Sequence, residues 1–102
     1  MKVHGNLEID ETRLAEICER FHVVELSIFG SVLRDDFGPE SDVDLLYVLE
    51  DQAGIGWEIV DLQQELAELF GRRVDLVSKQ FLRPRFAAKV LPTAERIFAH
   101  AA

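Results

Sequence analysis

The feature that most constrains the fold is a pair of short apolar runs with the composition of β-strands. The first is VVELSIF (Val23–Phe29), which is followed at once by Gly30. The second is DVDLLYVL, residues 42–49, and it begins with two acids. Because alternate residues of a strand point to opposite faces, Asp42 and Asp44 are expected to share one face. The sequence therefore predicts a sheet in which one face carries two carboxylates at a strand end.

Two carboxylates held this close together repel each other unless a cation lies between them. Mg²⁺ prefers oxygen ligands, and a pair of ions can bridge such acids to a substrate phosphate. An isolated Ser-Asp-x-Asp segment is more often a solvated loop or a cap. Here the acids open an apolar strand and follow a Gly-Ser turn after an interval of ten residues. This context favours a metal site at Asp42 and Asp44.

The Gly30-Ser31 pair lies between the first strand and a short helical turn predicted over residues 32–34. Glycine allows close approach of the backbone, and a helix start carries partial positive charge, so this arrangement can bind a phosphate. Most Gly-Ser pairs are simple turns, so the pair alone is weak evidence. Arg34, one turn after Ser31, is a further candidate for phosphate contact. We therefore predict a phosphate-binding segment at Gly30, Ser31 and Arg34.

A third carboxylate, Asp75, lies in an apolar strand predicted over residues 72–77. Burying it there would be costly without a partner. If this strand lies beside the second strand, Asp75 completes a cluster of three acids and can take a proton from an incoming hydroxyl. The alternative is a surface strand in which Asp75 pairs with Arg72 or Arg73.

Helical patterns fill most of the remaining chain. Asp10 can cap a helix whose apolar positions make Cys18 a core residue. A second helix is predicted over residues 57–70, with Gly71 as its stop. Proline suits the first turn of a helix, so two short helices are expected near the C-terminus, the second over residues 92–101.

Composition limits the classes of function. The 102 residues predict one domain, 1–102, and the formal charge of -8 disfavours direct binding of nucleic acid. The single cysteine excludes an internal disulfide. No apolar run of spanning length and no signal-peptide pattern occurs, so no membrane association and a cytoplasmic location are expected.

The combination of Gly30-Ser31, a ten-residue interval, Asp42-x-Asp44 and a later strand acid at Asp75 resembles the polymerase-β-type nucleotidyltransferase superfamily. In its length, and in the residues of the segment GSVLRDDFGPESDVDLLYVL, the chain most resembles the minimal nucleotidyltransferase (MNT) antitoxins found beside HEPN-domain ribonuclease toxins. The resemblance implies an α/β fold with a small mixed β-sheet flanked by helices, in αβαβαβ order.

The resemblance also implies a reaction in which a nucleoside monophosphate passes from a nucleoside triphosphate to a hydroxyl. Asp42 and Asp44 would hold two Mg²⁺ ions, Asp75 would join the catalytic metal, and Gly30 and Ser31 would bind the terminal phosphates. In the MNT antitoxins the co-substrate is usually ATP and the acceptor is a tyrosine of the cognate HEPN toxin. The expected activity is therefore AMPylation of a toxin.

Two other functions remain open at this point. The acidic chain could mask a basic toxin by binding alone, since complementary potentials speed and select association. It could also be a small-molecule nucleotidyltransferase. That function is less favoured because 102 residues leave little chain for an acceptor pocket.

Overall fold

The structure is a computed structural model that describes residues 2–3, 7–30, 42–50 and 58–100. Within these ranges lie β-strands, α-helices and a turn of 3₁₀ helix. The strands are β1 (Lys2–Val3), β2 (Leu7–Glu8), β3 (Val23–Phe29), β4 (Val43–Leu49), β5 (Val74–Ser78) and β6 (Glu95–Ala99). The helices are α1 (Glu11–Arg20), α2 (Glu58–Phe70) and α3 (Pro84–Val90), and the 3₁₀ turn is Lys79–Phe81.

The main sheet has the strand order β5-β4-β3-β6. Strand β4 runs parallel to β5, whereas β3 runs antiparallel to both β4 and β6. The sheet is therefore mixed, and the predicted α/β fold class is confirmed. Near the N-terminus, β1 and β2 form a separate antiparallel pair.

The two faces of the sheet differ in their cover. One face packs against α1 and α2 and contributes to an apolar core whose best-buried members are at most 1% exposed: Leu14, Ile17, Cys18, Leu26, Ile28, Val43, Leu45, Leu62, Leu66 and Val74. Full burial of such a side chain contributes about 1.5–3 kcal/mol. The opposite face has a smaller cluster of Phe29, Leu46 and Val90, so α3 covers part of it.

Helix ends follow the chemistry expected from the sequence. The Asp10 side chain accepts a hydrogen bond from the Arg13 N–H at 3.2 Å and caps α1. Gly71 adopts a positive φ of 70° directly after α2, as predicted for a helix stop.

Ion pairs connect the two helices that cover the sheet. Glu65 of α2 pairs with Arg13 of α1, at 3.6 Å, and with Arg20 of α1.

The C-terminal segment corrects one prediction. A helix begins at Pro84 as expected, but the helix predicted over residues 92–101 is wrong, since β6 occupies Glu95–Ala99. Without β6, strand β3 would leave an open edge of backbone donors and acceptors. The pairing continues past β6, where the His100 N–H donates to the Val24 carbonyl at 2.8 Å. Tertiary pairing thus overrides the local signal of Pro92.

Candidate active site

Asp44 and Asp75 lie side by side. They are register partners on the parallel strands β4 and β5, and Phe29 of β3 is the partner of Asp44 on its other side. Adjacent strands lie about 4.8 Å apart, and residues directly opposite share a face. We call these three residues, Asp75, Asp44 and Phe29, the acid row. The row lies on the sheet face opposite α1 and α2.

Asp42 comes directly before β4 and, two residues from Asp44, belongs to the same face. Both acids are partly exposed, whereas Val43 and Leu45 are fully buried on the other face. This alternation is the pattern expected from the sequence. The strand arrangement therefore places three carboxylate-bearing residues on one face, drawn from two segments that are distant in sequence.

Arg73 contacts this group through both its backbone and its side chain. Its carbonyl accepts a hydrogen bond from the Val43 N–H at 2.9 Å, and its Nη1 lies 4.0 Å from Asp42 Oδ2. The Arg73 and Asp42 side chains are 76% and 41% exposed, so water screens the pair. Arg73 thus pairs with Asp42, although the sequence suggested it as a partner for Asp75. Asp75 is itself exposed, so the predicted cost of burying it does not arise.

The described side chains are not arranged as a closed metal centre. Within the described parts of the chain, no group of three or more His, Cys, Asp or Glu side chains is close enough to hold an ion. The backbone nevertheless places Asp42, Asp44 and Asp75 on one face of the sheet. Their side chains carry carboxylate oxygens, which are the ligands that Mg²⁺ selects. The donor set fits the predicted metal. The metal roles of these three residues stay a prediction.

Gly30 packs its backbone against Asp44. It has a positive φ of 76°, and a Cβ atom at this position would lie 2.3 Å from Asp44 Oδ2 and 3.2 Å from Cγ. Only glycine combines this backbone conformation with this close approach. Gly30 therefore positions a carboxylate of the acid row. The other predicted phosphate contacts, Ser31 and Arg34, and the helical turn over residues 32–34 lie outside the described residues.

An aromatic pair connects α3 to the acid row, and sequence reasoning did not identify it. The Phe29 and Phe86 rings pack edge to face, with centroids 6.2 Å apart and planes at 78°. The alternation of side chains along a strand could have predicted the face on which Phe29 lies. It lies next to Ile28, which is in the main core, so Phe29 must occupy the opposite face with the carboxylates.

Cys18 takes no part in this site. It is fully buried in the main core, and this burial, with a smaller effect of Glu19, raises the pKa of the thiol to about 12. A thiol that stays protonated is a poor nucleophile and a poor metal ligand. The prediction that Cys18 is a core residue is confirmed.

Comparison with known proteins identifies the family. The model for the nucleotidyltransferase domain matches residues 11–98. The chain belongs to the nucleotidyltransferase domain family. Among its relatives, the protein adenylyltransferase MntA of Thermococcus cleftensis is 40% identical over 76 residues, which are 74% of this chain and 76% of that protein. The predicted family is thus confirmed.

Solved structures agree with this assignment to the nucleotidyltransferases. A structure described as a minimal nucleotidyltransferase has a TM-score of 0.67 at 34% identity and covers 82% of this chain and 85% of its own. A toxin-antitoxin crystal structure with AMP-PNP has a TM-score of 0.70 at 18% identity and covers 89% and 74%. At that identity the second likeness concerns the fold alone.

The helices of the described ranges are all too short or too polar to span a bilayer.

Proposed function

We propose that this nucleotidyltransferase is a magnesium-dependent protein adenylyltransferase that transfers AMP from ATP to a tyrosine of a cognate HEPN-domain toxin, and so acts as its antitoxin. The observation that carries the proposal is the register of Asp44 with Asp75, with Asp42 on the same face. The acceptor class is supported by the 40% identical relative, which is named a protein adenylyltransferase. The role as an antitoxin and the use of ATP are supported by the toxin-antitoxin neighbour with AMP-PNP.

Three carboxylates would hold Mg²⁺, namely Asp42, Asp44 and Asp75. The bound ions would neutralise the triphosphate and polarise the α-phosphate. Gly30 keeps the end of β3 against Asp44 and so fixes where that carboxylate can point. Ser31 and Arg34 are proposed to contact the β- and γ-phosphates.

In the proposed reaction the tyrosine oxygen attacks the α-phosphorus. The bond from that phosphorus to the bridging oxygen breaks, and pyrophosphate leaves with the electron pair. Asp75 takes the proton of the hydroxyl, a role for which its exposed position at the acid row is suited. Each carboxylate thereby has a place in one in-line displacement.

The first test uses Asp42→Asn with Asp44→Asn, and Asp61→Asn as a matched control. Asp61 is an exposed acid of α2, in the layer on the other side of the sheet. With ATP labelled at its α-phosphate, we expect transfer of labelled AMP to the toxin to fall at least about 100-fold in the double variant and to persist in the control. Undiminished transfer by the double variant would contradict the proposal. If the double variant still neutralises the toxin in cells at normal expression, binding rather than chemistry dominates neutralisation.

A further inference from the structure

The segment over residues 81–91 presents large apolar side chains to solvent. Phe81 in the 3₁₀ turn is 84% exposed, Phe86 of α3 is 45% exposed, and Leu91 just after α3 is 41% exposed. Val60 of α2 is also exposed, at 62%. Three exposed apolar groups within one short segment are more than scattered surface hydrophobics, and a cluster of this kind marks an interaction surface.

The same segment carries exposed cations. Arg83 precedes α3, and Arg85 and Lys89 lie four residues apart, on one side of the helix. From residue 76 to residue 94 the sequence contains no Asp or Glu, although the whole chain has a charge of -8. In the described parts of the chain, none of these three cations forms an ion pair. We call the six side chains the α3 patch: Phe81, Arg83, Arg85, Phe86, Lys89 and Leu91.

The α3 patch lies next to the proposed reaction centre. The Phe86 ring packs on Phe29, and Phe29 is the register partner of Asp44. Helix α3 therefore sits on the same face of the sheet as the carboxylates. A macromolecule resting on the α3 patch would have part of its surface above the acid row.

We infer that the α3 patch is the docking surface for the protein acceptor, and that it selects an acceptor surface in which acidic residues surround an apolar one. This inference rests on the proposed function and specifies how its substrate is recognised. The carboxylates of the acid row repel an acidic acceptor, so the cations of α3 supply the complementary charge. The exposed phenylalanines supply the apolar anchor that a protein interface needs.

The probe for the test is a fluorescein-labelled peptide with a central tyrosine, a neighbouring leucine and flanking glutamates. A second peptide has glutamines in place of the glutamates. Binding is measured by anisotropy in the Asp42→Asn, Asp44→Asn background, so that the readout does not depend on catalysis. We expect the glutamate peptide to bind about tenfold tighter than the glutamine peptide, and we expect added salt to reduce the difference.

Charge-matched variants locate the binding surface. Arg83→Gln, Arg85→Gln and Lys89→Gln together should weaken the glutamate peptide about tenfold. The control variant lowers the net charge by the same amount through three substitutions at exposed positions of α1 and α2, namely Thr12→Glu, Gln63→Glu and Gln64→Glu. It should change binding less than about twofold. For the apolar part, Phe81→Ala should weaken both peptides, whereas Val60→Ala should weaken neither.

Each other outcome overturns the inference. It fails if neither peptide binds, if both bind equally, or if the α1/α2 control weakens binding as much as the α3 variant. It also fails if single-stranded oligouridine binds the patch more tightly than the glutamate peptide, because the surface would then serve RNA. The AMP-transfer assay with the toxin is separate. Loss of peptide preference with intact transfer rejects the docking surface alone, and absent transfer with intact preference rejects the proposed function.

Discussion

Replacing Gly30 with alanine should disturb both the local backbone and the acid row. An L-residue in the left-handed region costs about 1–2 kcal/mol of folding free energy. At Gly30 the new methyl would also lie 2.3 Å from Asp44 Oδ2, so the carboxylate must turn away. Forcing a side chain off its preferred rotamer costs a further amount of about 0.5–1.5 kcal/mol. The expected loss for Gly30→Ala is therefore about 1.5–3.5 kcal/mol.

Gly71→Ala is the matched control. Gly71 has a φ of 70°, close to the 76° of Gly30, but a Cβ atom there would meet nothing within 4 Å. This variant should lose only the backbone cost of about 1–2 kcal/mol. Any gain from stiffening the unfolded chain is the same in both substitutions and cancels in the comparison.

Urea unfolding of both variants measures the difference, and AMP transfer shows its consequence. Gly30→Ala should lose transfer because Asp44 is displaced, whereas Gly71→Ala should retain it. In an Asp44→Ala background the obstructing carboxylate is absent, so the cost of Gly30→Ala should fall to that of Gly71→Ala. Equal costs for the two glycines in the wild-type background, together with retained transfer by Gly30→Ala, would refute the reasoning.

Three further predictions concern the layer of α1 and α2. Cys18 should resist alkylation in the native state at mildly alkaline pH, because its thiol has a pKa of about 12, and should react fully in urea; rapid native labelling would contradict its burial. Leu62→Ala should lower the free energy of unfolding by about 2–5 kcal/mol, because Leu62 is fully buried, whereas Val60→Ala should change it by less than about 0.5 kcal/mol; equal effects in urea unfolding would be inconsistent with the packing. Glu65→Gln, which removes the ion pairs to two arginines of α1, should cost at most about 1 kcal/mol, and added salt should shrink the loss; an effect that salt does not change would count against an ionic origin.

The sequence predicted the elements whose signals are local. Strand β3 and the stop of α2 at Gly71 follow from residue composition and glycine chemistry. The alternation in Asp42-Val43-Asp44 also predicted which side of β4 would be buried. Local patterns were sufficient at these positions because neighbouring residues alone decide them.

Other features depend on partners that are distant in sequence. Strand β6 forms because β3 offers an edge, and nothing within residues 92–101 encodes that edge. The sequence could not show that Asp44 and Asp75 are neighbours, because this depends on the order of the strands in the sheet. The contact of Arg73 with Asp42 was missed because it depends on how β5 enters the sheet beside β4.

The central claim is that one metal and nucleotide site joins carboxylates from β4 and β5. Titration of Mn²⁺ by electron paramagnetic resonance, with a non-hydrolysable ATP analogue present, tests it without relying on turnover. The samples are the wild type, Asp44→Asn, Asp75→Asn and the control Asp61→Asn. We predict that Asp44→Asn and Asp75→Asn each weaken Mn²⁺ binding by about tenfold or more and that Asp61→Asn binds like the wild type. Wild-type binding by Asp75→Asn would contradict the account.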